Sequence, residues 1–354
     1  MTATGRFPPI EDYGVLADGE VLALVASSGA VEWLCVPRMD SPSLFAAVLD
    51  RRAGSFRVGP RETCVPAARR YVPGTLVLET TWMTSRGWLV VRDALLIGPW
   101  EDDPVDVPPY RRDARPERAE HVLLRTLRCE QGSVEIVVEC EPVLDYGLQP
   151  AVWTIEDQDR RRASTDPAGG PSPLELVATV PLDPADRGVR ANAVLQEGDA
   201  AVVALSWAGA RPPRSVADAE ERLRRTQGFW RGWLAGGEFP DHPWRHHLQR
   251  SALVLKGLIY APTGAMVAAG TTSLPETPGG ERNWDYRHTW IRDATFALWG
   301  LYTLGLDADA DHYMRFVAEV AIGERDPLHI MYGIGGERSL PERTLDHLSG
   351  YEGA

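Results

Sequence analysis

Short apolar runs separated by turn-forming residues dominate residues 1–213 of this 354-residue chain. The segments EVLALVASSGAVEWLCVP and LVLETTWMTSRGWLVVRDALLI each hold two such runs around a turn that contains Ser and Gly. Many short strands with regular turn signals and few helical patterns are typical of antiparallel pairing. The pattern therefore predicts a β-sandwich rather than a parallel sheet alternating with helices.

The segment HVLLRTLRCEQGSVEIVVECEPV has the clearest alternation of this series. Apolar side chains occupy every second position through Val134, Ile136 and Val138, as on the buried face of a strand. Gln131 and Gly132 stand between two apolar halves, where a two-residue turn would connect antiparallel strands. We therefore predict a β-hairpin with its turn at these two residues.

A helical pattern replaces the strand pattern after residue 213. Ser215 stands three residues before Asp218, which is capping-box spacing, and apolar residues then recur at helical intervals as far as Leu234. The pair Gly236 and Gly237 predicts the end of this helix.

Three further amphipathic stripes follow, starting near Pro243, Ile291 and Asp307. The chain is also longer than a single hydrophobic core usually supports. We therefore predict a β-sandwich domain over residues 1–213, a helical linker over 214–242 and a helical domain over 243–354.

The stretch NWDYRHTWIRDATFAL, residues 283–298, places alternating aromatic and imidazole side chains immediately before one of these helices. An extended backbone would put them on one face. Apolar patches of a sugar ring pack on such aromatic surfaces. The alternating residues are Trp284, Tyr286, His288 and Trp290.

Arg292 and Asp293 open the helix that follows. A guanidinium and a carboxylate beside aromatic rings would hold the vicinal hydroxyls of a sugar through charge-assisted hydrogen bonds. In the simpler alternative, Asp293 is favoured by the helix dipole in the first turn and Arg292 is solvated. Neighbouring helical side chains diverge, so we expect each residue of the pair to find its own partner.

Several motifs of the chain resemble glycoside hydrolase family 15, the inverting glucoamylases, glucodextranases and bacterial trehalase-like enzymes. RNWDYRHTWIRDATFAL closely resembles the first barrel segment of these proteins. FPPIEDYGVLADGEVLALVASSGAVEWLCVPRMDSPSLFAAVLD resembles the trehalase-like domain that precedes the barrel in bacterial members. YAPTGAMVAAGTTSLPE and LPERTLDHLSGY are also similar to family members, so the resemblance spans essentially the whole chain.

The resemblance implies an α+β multidomain fold: an N-terminal antiparallel β-sandwich of the super-sandwich type, a helical linker, and the first helices of an (α/α)6 barrel. It also implies a pocket for a terminal glucosyl unit. By position, Arg292 and Asp293 resemble the pair that holds hydroxyls of the innermost glucose, and Tyr286 and Trp290 resemble the aromatic residues lining that subsite. His288 receives no role.

Inverting hydrolysis needs an acid and a base carboxyl group roughly 6.5 to 9.5 Å apart. In the family both are glutamates of later barrel segments, and the acid lies in a Trp-Glu context. Trp100-Glu101 is the only such dipeptide here and lies in a Pro-rich part of the sandwich region. We expect the glutamates near the sugar motifs to be solvated, so no catalytic residue is assigned. They are Glu276, Glu281, Glu319, Glu337 and Glu342.

These observations predict a C-terminally truncated, inactive fragment of a longer hydrolase. Amphipathic helices of an (α/α)6 barrel bury their apolar stripes only against later helices, and apolar area left in water forfeits about 25 cal/mol per Å². We therefore expect the segment after residue 243 to be loosely held, aggregation-prone or dependent on a partner.

Composition excludes other classes of function. The net charge of -13 argues against nucleic acid as a partner. No window approaches about 18 uninterrupted apolar residues and no signal peptide is present, so we predict no membrane partner and a cytoplasmic location. The four cysteines lack CxxC spacing, which predicts reduced thiols, no metal site and no cofactor. The oligomeric state is not specified.

Two classes of function remain open. The first is α-glucosidic hydrolysis, glucoamylase-like or trehalase-like, with an α-glucoside or trehalose as the substrate. The second is a non-catalytic carbohydrate-binding module or interaction protein. The residues quoted above are shared by glucoamylase-like and trehalase-like members, so the substrate, and any dependence on phosphate or a metal ion, stays open.

Overall fold

A computed structural model of the chain describes residues 7–99, 117–156, 158–166, 173–322 and 328–354. Most strands lie in the first 206 residues and most helices after them. The strands are β1 Gly14–Ala17, β2 Leu22–Val25, β3 Ala30–Cys35, β4 Ser43–Phe45, β5 Ser55–Pro60, β6 Ala68–Tyr71, β7 Leu78–Met83, β8 Gly87–Pro99, β9 Glu117–Glu141, β10 Gln149–Pro150, β11 Trp153–Ile155, β12 Arg162–Thr165, β13 Glu175–Ala178, β14 Asp183–Ala185, β15 Gly188–Gln196, β16 Ala200–Ser206, β17 Thr289–Trp290 and β18 Met331–Tyr332. The helices are α1 Leu144–Gly147, α2 Val216–Ala235, α3 Arg245–Gly257, α4 Ile291–Thr303 and α5 Ala308–Ala321.

The first part of the chain is an antiparallel β-sandwich, as predicted. One half contains β1-β2-β3-β5 with β14 and β15, the other contains β6-β7-β8 with β16-β13-β12-β11, and β9 belongs to both. Side chains from both halves, such as Phe56 and Leu127, share one buried apolar cluster. The predicted β2–β3 and β7–β8 hairpins are confirmed.

The predicted hairpin at Gln131 and Gly132 is wrong, because β9 continues through both residues. Before Gly132 the strand pairs with β8 and β16, and after it with β5 and β15. Gly132 has a φ of 69°, and a Cβ there would lie 2.1 Å from the carbonyl oxygen of Arg86. The glycine therefore permits a close approach between strands where β9 passes from one half to the other.

A buried ion pair lies in the sandwich core, and its guanidinium also contacts the opposite half. Arg125 Nε donates to Asp93 Oδ1 at 2.8 Å, and both side chains are fully buried. The same guanidinium donates to the carbonyl oxygens of Phe56 and Gly29, each at 2.6 Å. Since Asp93 and Arg125 lie on β8 and β9 and the two carbonyls belong to the opposite half, this one side chain ties the halves together.

The helix predicted after the sandwich is confirmed as α2. The Ser215 hydroxyl accepts a hydrogen bond from the Asp218 backbone amide at 3.1 Å, which satisfies one unpaired donor of the first turn. Leu223 of α2 packs on the outer face of the sandwich, while Trp230 belongs to the apolar cluster of the later helices. The helix therefore contacts both parts of the molecule.

Helices α3 to α5 are amphipathic but only partly covered. In α4, Ala294, Leu298 and Leu301 are buried, as predicted, whereas large apolar side chains on the other face are exposed. This exposure matches the expectation of apolar surface left in water after residue 243. The exposed side chains are Phe296 at 64%, Trp299 at 66% and Tyr302 at 63%. Within the described ranges, no helix has the length and apolarity needed to cross a membrane.

Candidate functional site

The lead-in to α4, residues 284–290, is an extended segment with hydrogen bonds along its length. Its carbonyl groups at Trp284, Tyr286 and His288 accept hydrogen bonds from the backbone amides of residues 273, 269 and 268, at 2.9 to 3.0 Å. At its end β17 pairs antiparallel with β18, with Thr289 opposite Tyr332. The extended conformation expected from the alternating pattern is present at Thr289–Trp290 and at the bridge between Asp285 and Thr272, with a bend at His288 between them.

The two faces of the lead-in differ sharply in exposure. Arg287 and Thr289 are buried, with 2% and 0% of their surface exposed. Tyr286, His288 and Trp290 are only partly covered. The aromatic face therefore points away from the protein interior, where a ligand would reach it.

The four residues expected to hold a sugar lie together at the start of α4, and we call them the sugar surface: Tyr286, Trp290, Arg292 and Asp293. The rings of Tyr286 and Trp290 have centroids 6.5 Å apart and are inclined by 39°. The Arg292 guanidinium carbon lies 5.8 Å from the Trp290 ring centroid. The surface thus places two rings and one cation beside each other.

Arg292 and Asp293 contact each other, with 3.2 Å between Arg292 Nη2 and Asp293 Oδ2. The expectation that each must find its own partner is therefore wrong, because the long Arg side chain reaches across to its neighbour in the first helical turn. The two side chains are 72% and 43% exposed. A pair this exposed adds little to stability. Because so much of each side chain is in contact with solvent, both groups are also accessible to a ligand.

Two polar atoms of the aromatic face lack a partner within the described part of the chain. Trp290 Nε1 and His288 Nδ1 are buried and accept or donate no hydrogen bond there. An unpaired buried donor costs free energy unless water or a ligand satisfies it. Within the described residues, Trp290 Nε1 is therefore an unpaired donor on the buried edge of its ring.

Glu276 lies at the edge of this surface and is exposed, as predicted. The Tyr286 hydroxyl donates to Glu276 Oε1, and this hydrogen bond raises the pKa of Tyr286. Glu337 is also paired, since its carboxylate accepts from Arg38 at 3.2 Å and from the Gly335 amide at 2.9 Å. Arg38 lies in the sandwich, 299 positions from Glu337, so no local sequence signal identifies that contact.

Three further glutamates lie near the sugar surface in the sequence. Glu281, Glu319 and Glu342 are exposed, as predicted. Trp100 and Glu101 lie outside the described residues. Among the described side chains, no group of three or more His, Cys, Asp or Glu is placed to hold a metal ion.

Arg287, on the buried face, is a residue that the sequence pattern did not single out. Its guanidinium donates to both Asp285 oxygens, to the Tyr146 hydroxyl at 2.7 Å and to the Ser41 carbonyl at 2.6 Å. It also lies 3.4 Å from Cys35 Sγ. Three of these partners belong to the sandwich, so Arg287 links the lead-in to a different part of the chain.

This buried network shifts the pKa values of its members. Burial raises the pKa of the Cys35 thiol to about 11 and that of the Tyr146 hydroxyl to about 12. Burial alone would also raise the pKa of Asp285, but the hydrogen bonds from Arg287 outweigh it and hold the pKa below its ordinary value. The network therefore contains one carboxylate, one guanidinium and two neutral groups at neutral pH.

Comparison with family models identifies both parts of the chain. Residues 243–354 match the glycosyl hydrolases family 15, and residues 3–95 match the trehalase-like N-terminal domain. Both matches are to domains of glycoside hydrolases. The chain thus contains a segment of glycosyl hydrolases family 15 that follows a trehalase-like N-terminal domain.

Curated relatives agree with this assignment. The chain is 55% identical over 358 residues to a trehalase of Mycolicibacterium smegmatis, covering 99% of this chain and 53% of the relative. It is 53% identical over 355 residues to a trehalase of Mycobacterium tuberculosis, covering 98% of this chain and 52% of the relative. The chain thus spans about half the length of the curated relatives it matches.

A solved structure supports the fold. The crystal structure of a bacterial glucoamylase complexed with acarbose superposes with a TM-score of 0.57 at 12% sequence identity. The superposition covers 92% of this chain and 52% of the glucoamylase chain. At this identity the likeness concerns the fold, a β-sandwich followed by helices of an (α/α)6 barrel.

Proposed function

We propose that the sugar surface holds a terminal glucose during inverting hydrolysis of an α-glucosidic bond. The observation that carries the proposal is the grouping of two partly exposed aromatic rings with an exposed Arg–Asp pair at the start of α4. Because relatives named trehalase share more than half of their aligned residues with this chain, trehalose is the first substrate to test, ahead of glucoamylase-type maltooligosaccharides. The same relatives favour this function over a non-catalytic binding module.

Each side chain of the surface has a distinct part in such binding. The rings of Tyr286 and Trp290 offer apolar area to the axial hydrogens of the pyranose. Arg292 donates to one hydroxyl and Asp293 accepts from the adjacent hydroxyl, so the pair selects for two hydroxyls on neighbouring carbons. Binding energy from these contacts would fix the glucosidic bond for attack by water.

The acid and base are not assigned to any residue of this chain. The carboxylates nearest the surface, Asp293 and Glu276, are already paired with Arg292 and Tyr286. We therefore propose that the surface serves a hydrolase, but that these 354 residues by themselves bind glucose without cleaving a glucosidic bond. Trehalose and maltose incubated with the purified chain should release no glucose, whereas release that disappears in Arg292→Ala would contradict the proposal.

Binding is tested by titration with deoxynojirimycin, an iminosugar with the hydroxyl pattern of glucose. Loss of a hydrogen bond to a charged group costs about 1.5–3 kcal/mol, so Arg292→Ala should weaken binding by about tenfold or more. Arg224→Ala is the matched control, because Arg224 on α2 is similarly exposed, at 68%, and pairs with Glu221. Equal affinities for all three proteins would refute the site.

The division of the chain is part of the same proposal. We propose a sandwich domain over residues 1–213, a helical linker over 214–242 and a partial barrel over 243–354. It is supported by the end of the sandwich strands at Ser206 and by the contacts of α2 with both parts. Limited proteolysis that cuts within β1 to β16 before any cut after residue 243 would contradict it.

A further inference from the structure

The buried face of the lead-in contacts the sandwich through the Arg287 side chain. Asp285, Arg287 and Thr289 alternate on this face, opposite the aromatic residues. Arg287 lies between Trp33 and Tyr146 of the sandwich, with its guanidinium carbon 5.8 and 5.6 Å from their ring centroids. Cation–π contact and hydrogen bonds thus act on the same group.

The segment that hydrogen-bonds to the lead-in is also seated on the sandwich. The side chain of Trp33 is fully buried, and its Nε1 donates to the Gly270 carbonyl at 2.7 Å. A Cβ at Gly270 would lie 2.7 Å from the Leu22 side chain, so this backbone approaches the sandwich as closely as a glycine allows. Residues 268–273 therefore contact the sandwich on one side and hydrogen-bond to the lead-in on the other.

The Arg287 guanidinium also determines which face of the lead-in is buried. A shift of one residue along the strand would exchange the two faces and place Tyr286 or His288 where the guanidinium now lies. Such a shift would leave the Tyr146 hydroxyl and the Ser41 carbonyl without the Arg287 donor in a buried site, which is costly. The network thus favours a single register, and that register turns Tyr286 and Trp290 outward.

We propose that Arg287 is a positioning residue, which fixes the orientation of Tyr286 and Trp290 and makes the affinity of the sugar surface depend on Tyr146 of the sandwich. This inference rests on the proposed function. Tyr146 lies 141 positions away from Arg287 in the chain and is only 8% exposed. Its effect on a sugar would pass through Arg287 and the lead-in.

The test compares two hydroxyl deletions within the sandwich. Tyr146→Phe removes one acceptor of Arg287, whereas Tyr13→Phe removes a hydroxyl that donates to Glu32 at 2.5 Å, within the sandwich. We expect the deoxynojirimycin Kd to rise about fivefold or more in Tyr146→Phe, the size of one lost hydrogen bond, and to stay unchanged in Tyr13→Phe. Arg287→Lys should also raise Kd, since Lys cannot reproduce the forked hydrogen bonds.

A second readout needs no ligand and separates failure of this inference from failure of the proposed function. In protein labelled with fluorotryptophan, the fluorine NMR signal of Trp290 is assigned through Trp290→Phe. Tyr146→Phe should shift or broaden that signal, and Tyr13→Phe should leave it in place. An unmoved Trp290 signal together with an unchanged Kd would overturn the positioning role. A shifted signal without sugar binding by any variant would keep the positioning role and overturn the proposed function.

Discussion

Two of the Arg–Asp pairs in the molecule lie in opposite environments. Arg125 and Asp93 are fully buried between the halves of the sandwich, whereas Arg292 and Asp293 are 72% and 43% exposed at the start of α4. The apolar side chains differ in the same way, since Trp82 and Trp207 of the sandwich are at most 1% exposed and Trp299 of α4 is 66% exposed. The same residue types therefore stabilise the fold in one region and remain accessible to a ligand in the other.

The strongest test of this difference removes one carboxylate from each pair. Asp93→Ala leaves the Arg125 charge buried without its ionic partner, so we expect the free energy of unfolding to fall by about 3–5 kcal/mol. Asp293→Ala, the matched change in the exposed pair, should alter it by less than about 1 kcal/mol. Urea unfolding monitored by circular dichroism measures both, and similar losses would show that the two pairs do not differ as described.

The two faces of α4 provide the next comparison. Leu298 is 6% exposed, so Leu298→Ala should cost about 2–5 kcal/mol through lost contacts and the cavity left behind. Phe296→Ser, two positions earlier on the exposed face, should change the free energy of unfolding by less than about 0.5 kcal/mol. It should also lower self-association in light scattering. A cost as large as that of Leu298→Ala would mean that the outer face is covered in solution.

The smallest expected effect concerns the helix that joins the two regions. Ser215→Ala removes the acceptor for the Asp218 amide and should lower the free energy of unfolding by about 1 kcal/mol. Ser215→Asp, which keeps a capping oxygen, serves as the control and should restore most of the loss. A Ser215→Ala variant as stable as the parent chain would indicate that packing alone determines where α2 begins.

Local patterns were sufficient wherever neighbours in the sequence are also neighbours in space. The cap at Ser215, the buried stripe of α4 and the β2–β3 hairpin all depend on residues a few positions apart, and the structure contains each of them. The alternation around Tyr286 likewise follows from the period of an extended strand.

The sequence failed where distant partners decide the outcome. Gln131 and Gly132 have the chemistry of a turn, but β9 continues because β5 and β15 replace β8 and β16 as its partners. Arg287 resembles an ordinary surface residue in the sequence, although it is only 2% exposed. Its partners at Cys35, Ser41 and Tyr146 lie 141 to 252 positions away, and no spacing rule reaches that far.

Hydrogen exchange followed by mass spectrometry measures whether the sugar surface derives its order from the sandwich or from the helices that follow. If the sandwich orders it, peptides covering residues 266–275 and 284–290 should exchange as slowly as those of β9, while peptides from α4 and α5 exchange much faster. Tyr146→Phe should then accelerate exchange in the lead-in and leave β9 unchanged. Uniformly strong protection across residues 290–322, or a lead-in that exchanges faster than α4, would contradict this dependence.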